Sequence, residues 1–86
     1  MTASAGTGMQ VLAGGRWIDV SYSDACDFAR MMAWEQIPAS SSTEKAAAEF
    51  RRRIRGPKAA KCREIGMEAF RRKHQIWIRS RRESKK

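Results

Sequence analysis

Residues 43 to 82 have the sequence TEKAAAEFRRRIRGPKAAKCREIGMEAFRRKHQIWIRSRR, and this stretch decides the fold. Its apolar side chains recur every three or four residues, which is the spacing of one face of an α-helix. Gly56-Pro57 interrupts the pattern once. Because glycine is typical just after a helix and proline is typical of a first turn, we predict two consecutive amphipathic helices that meet there.

Basic side chains are concentrated in the same stretch. Residues 1 to 42 hold two basic and four acidic side chains, a net charge of −2, whereas residues 43 to 86 hold sixteen and five, a net charge of +11. A helix face that serves only solubility usually mixes both signs. The excess therefore indicates a surface that attracts an anionic partner. On the second of the two helices, the basic residues away from the apolar arc are Lys61, Arg71, Arg72 and Arg79.

The segment from Met9 to Val20 predicts a β-hairpin. Two β-prone runs flank Gly14-Gly15, and successive glycines favour the tight turns that require positive φ. A phosphate-binding loop is the alternative for these glycines, but the Gly-Lys-Ser/Thr ending of such loops is absent. Because a two-stranded ribbon is only marginally stable alone, we expect it to pack on the helices.

Two helix starts are predicted from their capping residues. Ser23 is the expected N-cap of a helix over residues 24 to 36, because a serine hydroxyl there accepts from an otherwise unpaired N–H. Ser41 and Glu44 match a capping box at the start of the next helix, over residues 43 to 55. The third helix follows Gly56-Pro57.

The end of the third helix leaves two interpretations open. Residues 58 to 74 have a helical composition, whereas residues 75 to 79, Gln-Ile-Trp-Ile-Arg, are β-branched and aromatic. We favour continued helix over a short third strand. The predicted fold class is α+β, an N-terminal β-hairpin followed by three α-helices. The expected core residues are Val11, Ile18, Val20, Phe28, Met32, Phe50, Ile54, Cys62 and Phe70.

Length and composition predict one small domain. We expect it over residues 9 to 80, between a flexible N-terminus at residues 1 to 8 and a basic flexible tail at residues 81 to 86. No apolar run is long enough to span a bilayer, and no secretory signal is seen. We therefore expect a cytoplasmic protein without membrane contact. In that setting Cys26 and Cys62 are expected to be two free, half-buried thiols rather than a disulfide.

Catalytic chemistry is not indicated. The chain has one histidine, His74, and twelve residues along a helix would place it about 18 Å from Cys62, too far to share a proton. The carboxylates are explained as helix-start charges or as neighbours of arginines. We therefore expect no enzyme activity, no metal site and no cofactor.

Three tryptophans bear on the choice of partner. An exposed tryptophan on a basic surface could stack on nucleic-acid bases. In a chain of 86 residues, however, core packing is the favoured interpretation for Trp34 and for Trp77.

The arginines predict contact with phosphates, because the planar guanidinium matches phosphate oxygens and several such contacts give a salt-dependent affinity. The leading hypothesis is a small non-enzymatic nucleic-acid-binding protein, a phage- or plasmid-type regulator or accessory factor that contacts the DNA or RNA backbone. Its predicted contact residues are Arg51, Arg52, Arg53, Arg55, Lys58, Lys61, Arg71, Arg72, Lys73, Arg79, Arg81 and Arg82.

The alternative hypothesis is a small phage-type inhibitor of host machinery, comparable to anti-CRISPR proteins. Its arginines would pair with an acidic protein surface, and Met31, Trp34 or Trp77 would supply the apolar anchors that interfaces favour. A homodimer is a further possibility, because a chain this small could leave an apolar face uncovered.

Overall fold

The computed structural model describes residues 8 to 84, and it confirms the α+β class with an N-terminal hairpin and three helices. The predicted flexible N-terminus falls, apart from Gly8, outside the described residues. The last helix continues to Ser84, past residue 81 where a flexible tail was expected to begin. In chain order the elements are β1 (Met9–Ala13), β2 (Arg16–Val20), α1 (Tyr22–Met31), which continues into a π-helical turn (Met32–Gln36), α2 (Thr43–Arg53), β3 (Ile54–Arg55) and α3 (Ala59–Ser84).

The predicted hairpin is present. β1 and β2 pair antiparallel, with Val11 opposite Ile18. Gly14 and Gly15 form the turn at φ values of 60° and 76°, a backbone region that is costly for a residue with a Cβ atom. The glycine pair therefore serves the turn, as expected.

The third strand lies at Ile54–Arg55, and residues 75 to 79 belong to α3. The favoured prediction for residues 75 to 79, continued helix, is thus confirmed. The predicted end of α2 at Arg55 is wrong, because α2 stops at Arg53. Ile54 instead adopts extended geometry, pairs with Val11 of β1 and is fully buried. Long-range pairing has here outweighed the helical pattern.

Gly56 does not cap a helix, which corrects the prediction for that residue. Its φ is 135° and it directly follows β3. A Cβ atom at this position would lie 2.6 Å from the carbonyl oxygen of Gly8 and 2.9 Å from Cα of Met9. The glycine therefore allows the backbone to pass directly against the start of β1.

Both predicted N-caps are displaced along the chain. The hydroxyl of Ser21 accepts from the N–H of Asp24 at 3.1 Å, so Ser21 rather than Ser23 begins α1. The hydroxyl of Ser42 accepts from the N–H of Lys45 at 3.1 Å, so Ser42 rather than Ser41 begins α2. More than one serine precedes each helix, so the sequence alone left the choice of N-cap open. In the structure, Ser21 directly follows β2, which ends at Val20, and Ser42 is the last serine before α2.

The core lies between the inner face of the sheet and the three helices. Its largest fully buried side chains are those of Phe50, Phe70, Met9, Met32, Ile54 and Cys62. Ile18 was expected in the core but is 44% exposed. It lies on β2, one of the two edge strands in the order β2-β1-β3. Val20 and Phe28 are partly buried against the core.

Within residues 8 to 84, no helix has both the length and the apolar composition needed to cross a membrane.

The two cysteines meet in the core. Cys26 and Cys62 are free, as predicted, and both are buried rather than half-buried. Their Sγ atoms lie 3.6 Å apart and join α1 to α3 through a thiol contact. Burial, followed by the hydrogen bond with Cys26, raises the pKa of Cys62 from its ordinary value of 9.0 to about 12. Cys62 is therefore a protonated core residue near neutral pH.

This raised pKa predicts a loss of stability in alkaline solution. Between pH 9 and pH 12 the unfolded chain releases the Cys62 proton while the folded chain keeps it, so the free energy of unfolding falls as pH rises through this range. We expect the stability advantage of the wild type over Cys62→Ala to shrink by about 1 to 2 kcal/mol between about pH 8 and about pH 10.5, measured by urea unfolding. Parallel pH profiles for the two proteins would contradict this.

Candidate nucleic-acid interface

The structure divides the twelve predicted contact residues into those with internal partners and those presented to solvent. Arg53 belongs to the first group. Its Nε and Nη2 atoms donate to the carbonyl oxygen of Leu12 at 3.2 and 3.0 Å, and its Nη1 donates to the side chain of Gln36. Its guanidinium also lies 5.4 Å from the centre of the Phe28 ring. Arg53 therefore ties α2 to the hairpin and to the π-helical turn.

Lys73 is also engaged inside the molecule. Its Nζ donates to the carbonyl oxygens of Ala33, Trp34 and Ile37 at 3.2, 2.8 and 2.8 Å. The carbonyls at the end of a helix lack partners within the helix, and one ammonium group satisfies three of them here. With its three donors in use, Lys73 is not available to hold a phosphate.

A second set makes weaker contacts at the surface. Arg55 lies over the Trp17 ring at 3.8 Å and donates to Gln10, and Lys58 lies 5.2 Å from the centre of the Tyr22 ring. Arg52 pairs with Glu49 at 2.9 Å, and Arg81 lies 5.0 Å from the centre of the Trp77 ring. Such exposed ion pairs and cation–π contacts contribute on the order of 1 kcal/mol or less, so a polyanion could compete for these cations.

The remaining predicted residues are exposed, and within residues 8 to 84 their side chains make no hydrogen bond or ion pair. They are Arg51, Lys61, Arg71, Arg72, Arg79 and Arg82. At about 100° per residue, Arg71, Arg79 and Arg82 fall within an arc of about 80° on α3, opposite the buried Gly66 and Phe70. We call these three arginines the α3 stripe.

Acidic side chains are unevenly spread along this face. In the first half of α3, Glu64 and Glu68 share the surface with Lys61 and with Arg71, the first member of the α3 stripe. From residue 69 to residue 82, by contrast, α3 holds six basic side chains and no acidic one. From residue 75 to residue 83, every side chain except Trp77 and Ile78 is exposed. The strongest positive field therefore surrounds the part of α3 that is least covered by the rest of the fold.

Trp34 lies at the surface, so the prediction of core packing is wrong for this residue. It is 46% exposed and belongs to the π-helical turn, where the N–H of Ile37 donates to the carbonyl oxygen of Met32, five residues earlier. At about 100° per residue, Trp34 falls about 180° from the buried Ala25, on the outer face of the helix. Trp34 lines a surface groove between α1 and α3 together with Arg30, Ile65, Glu68, Ala69 and Arg72. We call this the Trp34 groove.

Trp77 is half-buried but does not belong to the buried core. Its ring packs against His74 with ring centres 5.6 Å apart. His74 itself stacks on Phe70 and bonds through Nδ1 to the carbonyl oxygen of Ala39 at 2.6 Å. Because a carbonyl only accepts, Nδ1 carries the proton. Trp77 and His74 thus extend the packing of α3 toward its exposed end.

The structure offers no shared chemistry for His74 and Cys62. α3 is one continuous helix, so the two side chains lie about 18 Å apart along its axis. Among residues 8 to 84, no three His, Cys, Asp or Glu side chains are placed to hold a metal ion together. What the described surface does offer is Arg72, which has no ion pair among the described residues, in one groove with the exposed Trp34.

Sequence reasoning missed the Trp34 groove because its two walls come from different parts of the chain. Arg30 and Trp34 come from α1 and the π-helical turn, whereas Arg72 comes from α3. The helical period places Trp34 near Arg30 on the outer face of α1, but it does not show that Arg72 of α3 lies beside them. Comparisons of the chain with models of protein families, with known proteins and with solved structures give no match.

Proposed function

We propose that this protein is a small non-enzymatic nucleic-acid-binding protein that contacts phosphates through the α3 stripe and Arg72. The observation that carries the proposal is the segment from residue 69 to residue 82, in which six basic side chains occur without an acidic one. Arginine presents its donors as a planar fork that fits phosphate oxygens. Arg53 and Lys73, whose donors are engaged internally, are left out of the proposed interface.

The exposed end of α3 suits a nucleic-acid partner in shape as well as in charge. The α3 stripe spans twelve residues, from Arg71 to Arg82, or about 16 Å of helix axis. Nucleic acid carries a dense row of phosphates, so several guanidinium groups at this spacing can each meet one. A regulator or accessory factor of phage or plasmid type, acting in the cytoplasm where thiols such as Cys26 and Cys62 stay reduced, is the form of this function that we propose.

The experiment compares two double variants with the same loss of charge. Arg79→Gln/Arg82→Gln removes two members of the α3 stripe, and Arg16→Gln/Lys45→Gln removes two exposed cations from β2 and α2. Binding to random-sequence DNA and RNA, single-stranded and duplex, is measured from about 50 to about 200 mM salt. We expect the stripe variant to bind about tenfold more weakly at about 100 mM salt, and its slope of log affinity against log salt to become shallower by about 2.

The control variant should keep nearly the full slope, because its cations lie outside the proposed interface. Equal losses in the two double variants would mean that overall charge, and not the α3 stripe, drives binding. Absence of wild-type binding to every nucleic acid at about 50 mM salt would contradict the proposed function.

A protein partner is the second candidate, and one observation favours it. Ile76 is 57% exposed on α3, and the neighbouring Trp77 and Ile78 line a surface hollow with Arg81 and Arg82. Aromatic and arginine side chains are enriched among residues that dominate protein interfaces. An inhibitor that docks on an acidic protein surface would use this hollow. It would show little affinity for nucleic acid in the salt series above.

A further inference from the structure

We propose that the Trp34 groove takes one nucleotide of a single strand, with its base stacked on the Trp34 ring and its phosphate on Arg72. The inference rests on the proposed function and names its substrate class, single-stranded DNA or RNA. The supporting observations are the exposure of Trp34, the hydrogen bonds made by the backbone around it and the chemistry of the groove.

Trp34 is the large aromatic side chain that the described surface exposes most. The large apolar residues exposed within residues 8 to 84 are Ile18, Trp34 and Ile76, at 44%, 46% and 57%. Trp17 and Trp77 are half-buried, and the stacked Arg55 and Arg81 cover part of their faces. No cation–π contact covers Trp34 among the described residues, and its exposed part lines the groove.

The backbone that carries Trp34 is held from two directions. Lys73 of α3 donates to the carbonyl oxygen of Trp34 at 2.8 Å and to those of Ala33 and Ile37. The π-helical turn is closed by the bond from Ile37 N–H to the carbonyl oxygen of Met32 at 2.9 Å. A platform fixed before binding loses little conformational freedom when a base stacks on it.

The groove supplies partners for the phosphate and the base of a nucleotide. Arg72 has no ion pair among residues 8 to 84 and can meet a phosphate, while Arg30 is held only by an exposed pair with Asp27 at 3.0 Å. Such a pair contributes on the order of 1 kcal/mol or less and can be exchanged. Ile65 and Ala69 provide an apolar floor, and the carboxylate of Glu68 can accept from the exocyclic amino group of a base.

The single strand is favoured because stacking needs an open base face. In a duplex both faces of each base are covered by neighbouring base pairs, whereas unpaired bases can turn out onto an aromatic side chain. A ring at the edge of a groove between two helices can reach only a base that has left its stack. The α3 stripe then follows the phosphates on one side of that base.

The test compares Trp34→Ala and Trp34→Phe with Ile18→Ala, which removes an apolar side chain of nearly equal exposure from β2. The probes are a single-stranded oligonucleotide of about 20 nucleotides and the matching duplex, at about 100 mM salt. We expect Trp34→Ala to weaken single-strand binding about tenfold, and Trp34→Phe to keep most of it. Duplex binding and the salt slope should change little, because no phosphate contact is removed.

The outcomes separate this inference from the proposed function. If the wild type binds both probes with a steep salt dependence and Trp34→Ala binds the single strand equally well, the stacking site is wrong while the proposed function stands. If Trp34→Ala weakens binding to both probes equally, the specificity for a single strand is wrong. If the wild type binds neither probe, the proposed function fails first. Thermal unfolding of each variant confirms that the fold is intact.

Discussion

Gly66→Val is expected to destabilise the protein by about 4 kcal/mol, a large share of the total stability of a domain of this size. Gly66 faces the ring of Phe50, which is fully buried between α2 and α3. A Cβ atom at residue 66 would lie 2.7 Å from Cζ and 2.9 Å from Cδ1 of that ring, and closer still to Cε1. The two further methyl groups of valine add to this overlap, so α2 and α3 must separate. Urea unfolding followed by circular dichroism measures the loss.

Two companion variants show that the effect comes from this contact. Ala60→Val places the same side chain at an exposed position of α3, where only the lower helix propensity of valine should count, about 0.5 kcal/mol. Phe50→Ala removes the ring, and combining it with Gly66→Val should cost clearly less than the two single changes added together. An additive double variant would mean that the valine acts elsewhere in the structure.

Lys73→Met is expected to destabilise the protein by about 3 kcal/mol, because three carbonyl oxygens lose a charged donor that methionine cannot replace. Each charge-assisted hydrogen bond is worth about 1.5 to 3 kcal/mol, and water recovers part of the loss where the carbonyls reach the surface. Methionine keeps most of the apolar length of the lysine side chain, so packing changes little. The measurement is again urea unfolding.

The neighbouring Arg71 provides the control for Lys73. It is exposed and has no described partner, so Arg71→Met should alter stability by no more than about 0.5 kcal/mol. In the binding assay the larger effect should come from Arg71. Arg71→Met should make the slope of log affinity against log salt shallower by about 1. Lys73→Met, measured under conditions where it is folded, should leave that slope unchanged. A stable Lys73→Met variant with a shallower slope would assign Lys73 to phosphate binding instead.

The α3 stripe was largely visible in the sequence because helical position is a local property. Once α3 is a helix, the spacing of Cys62, Gly66 and Phe70 defines its inner face, and Arg71 and Arg79 must lie away from it. The internal partners of the other cations were not visible. Arg53 bonds to a carbonyl 41 residues earlier, and Lys73 to carbonyls 36 to 40 residues earlier. Spacing within one helix contains no information about such distant acceptors.

Trp34 shows a different limit. At about 100° per residue, Trp34 falls about 180° from Ala25 and close to Asp27 and Arg30, on the outer face of α1. The helical period alone therefore places this side chain at the surface, and the expectation of core packing, which rested on the small size of the chain, was wrong. What the tertiary structure adds is the contact with α3, where Lys73 donates to the carbonyl oxygens of Ala33 and Trp34.

By itself the sequence determined the hairpin at Gly14-Gly15, the number of helices and the concentration of positive charge after residue 42. These depend on φ preferences, apolar spacing and charge, which act over a few residues. Only the tertiary structure decided that Ile54 leaves its helix to pair with Val11, and which cations remain available to a partner. Both depend on hydrogen-bond acceptors that folding brings close from distant parts of the chain, where local preference is outweighed by the need to pair buried backbone groups.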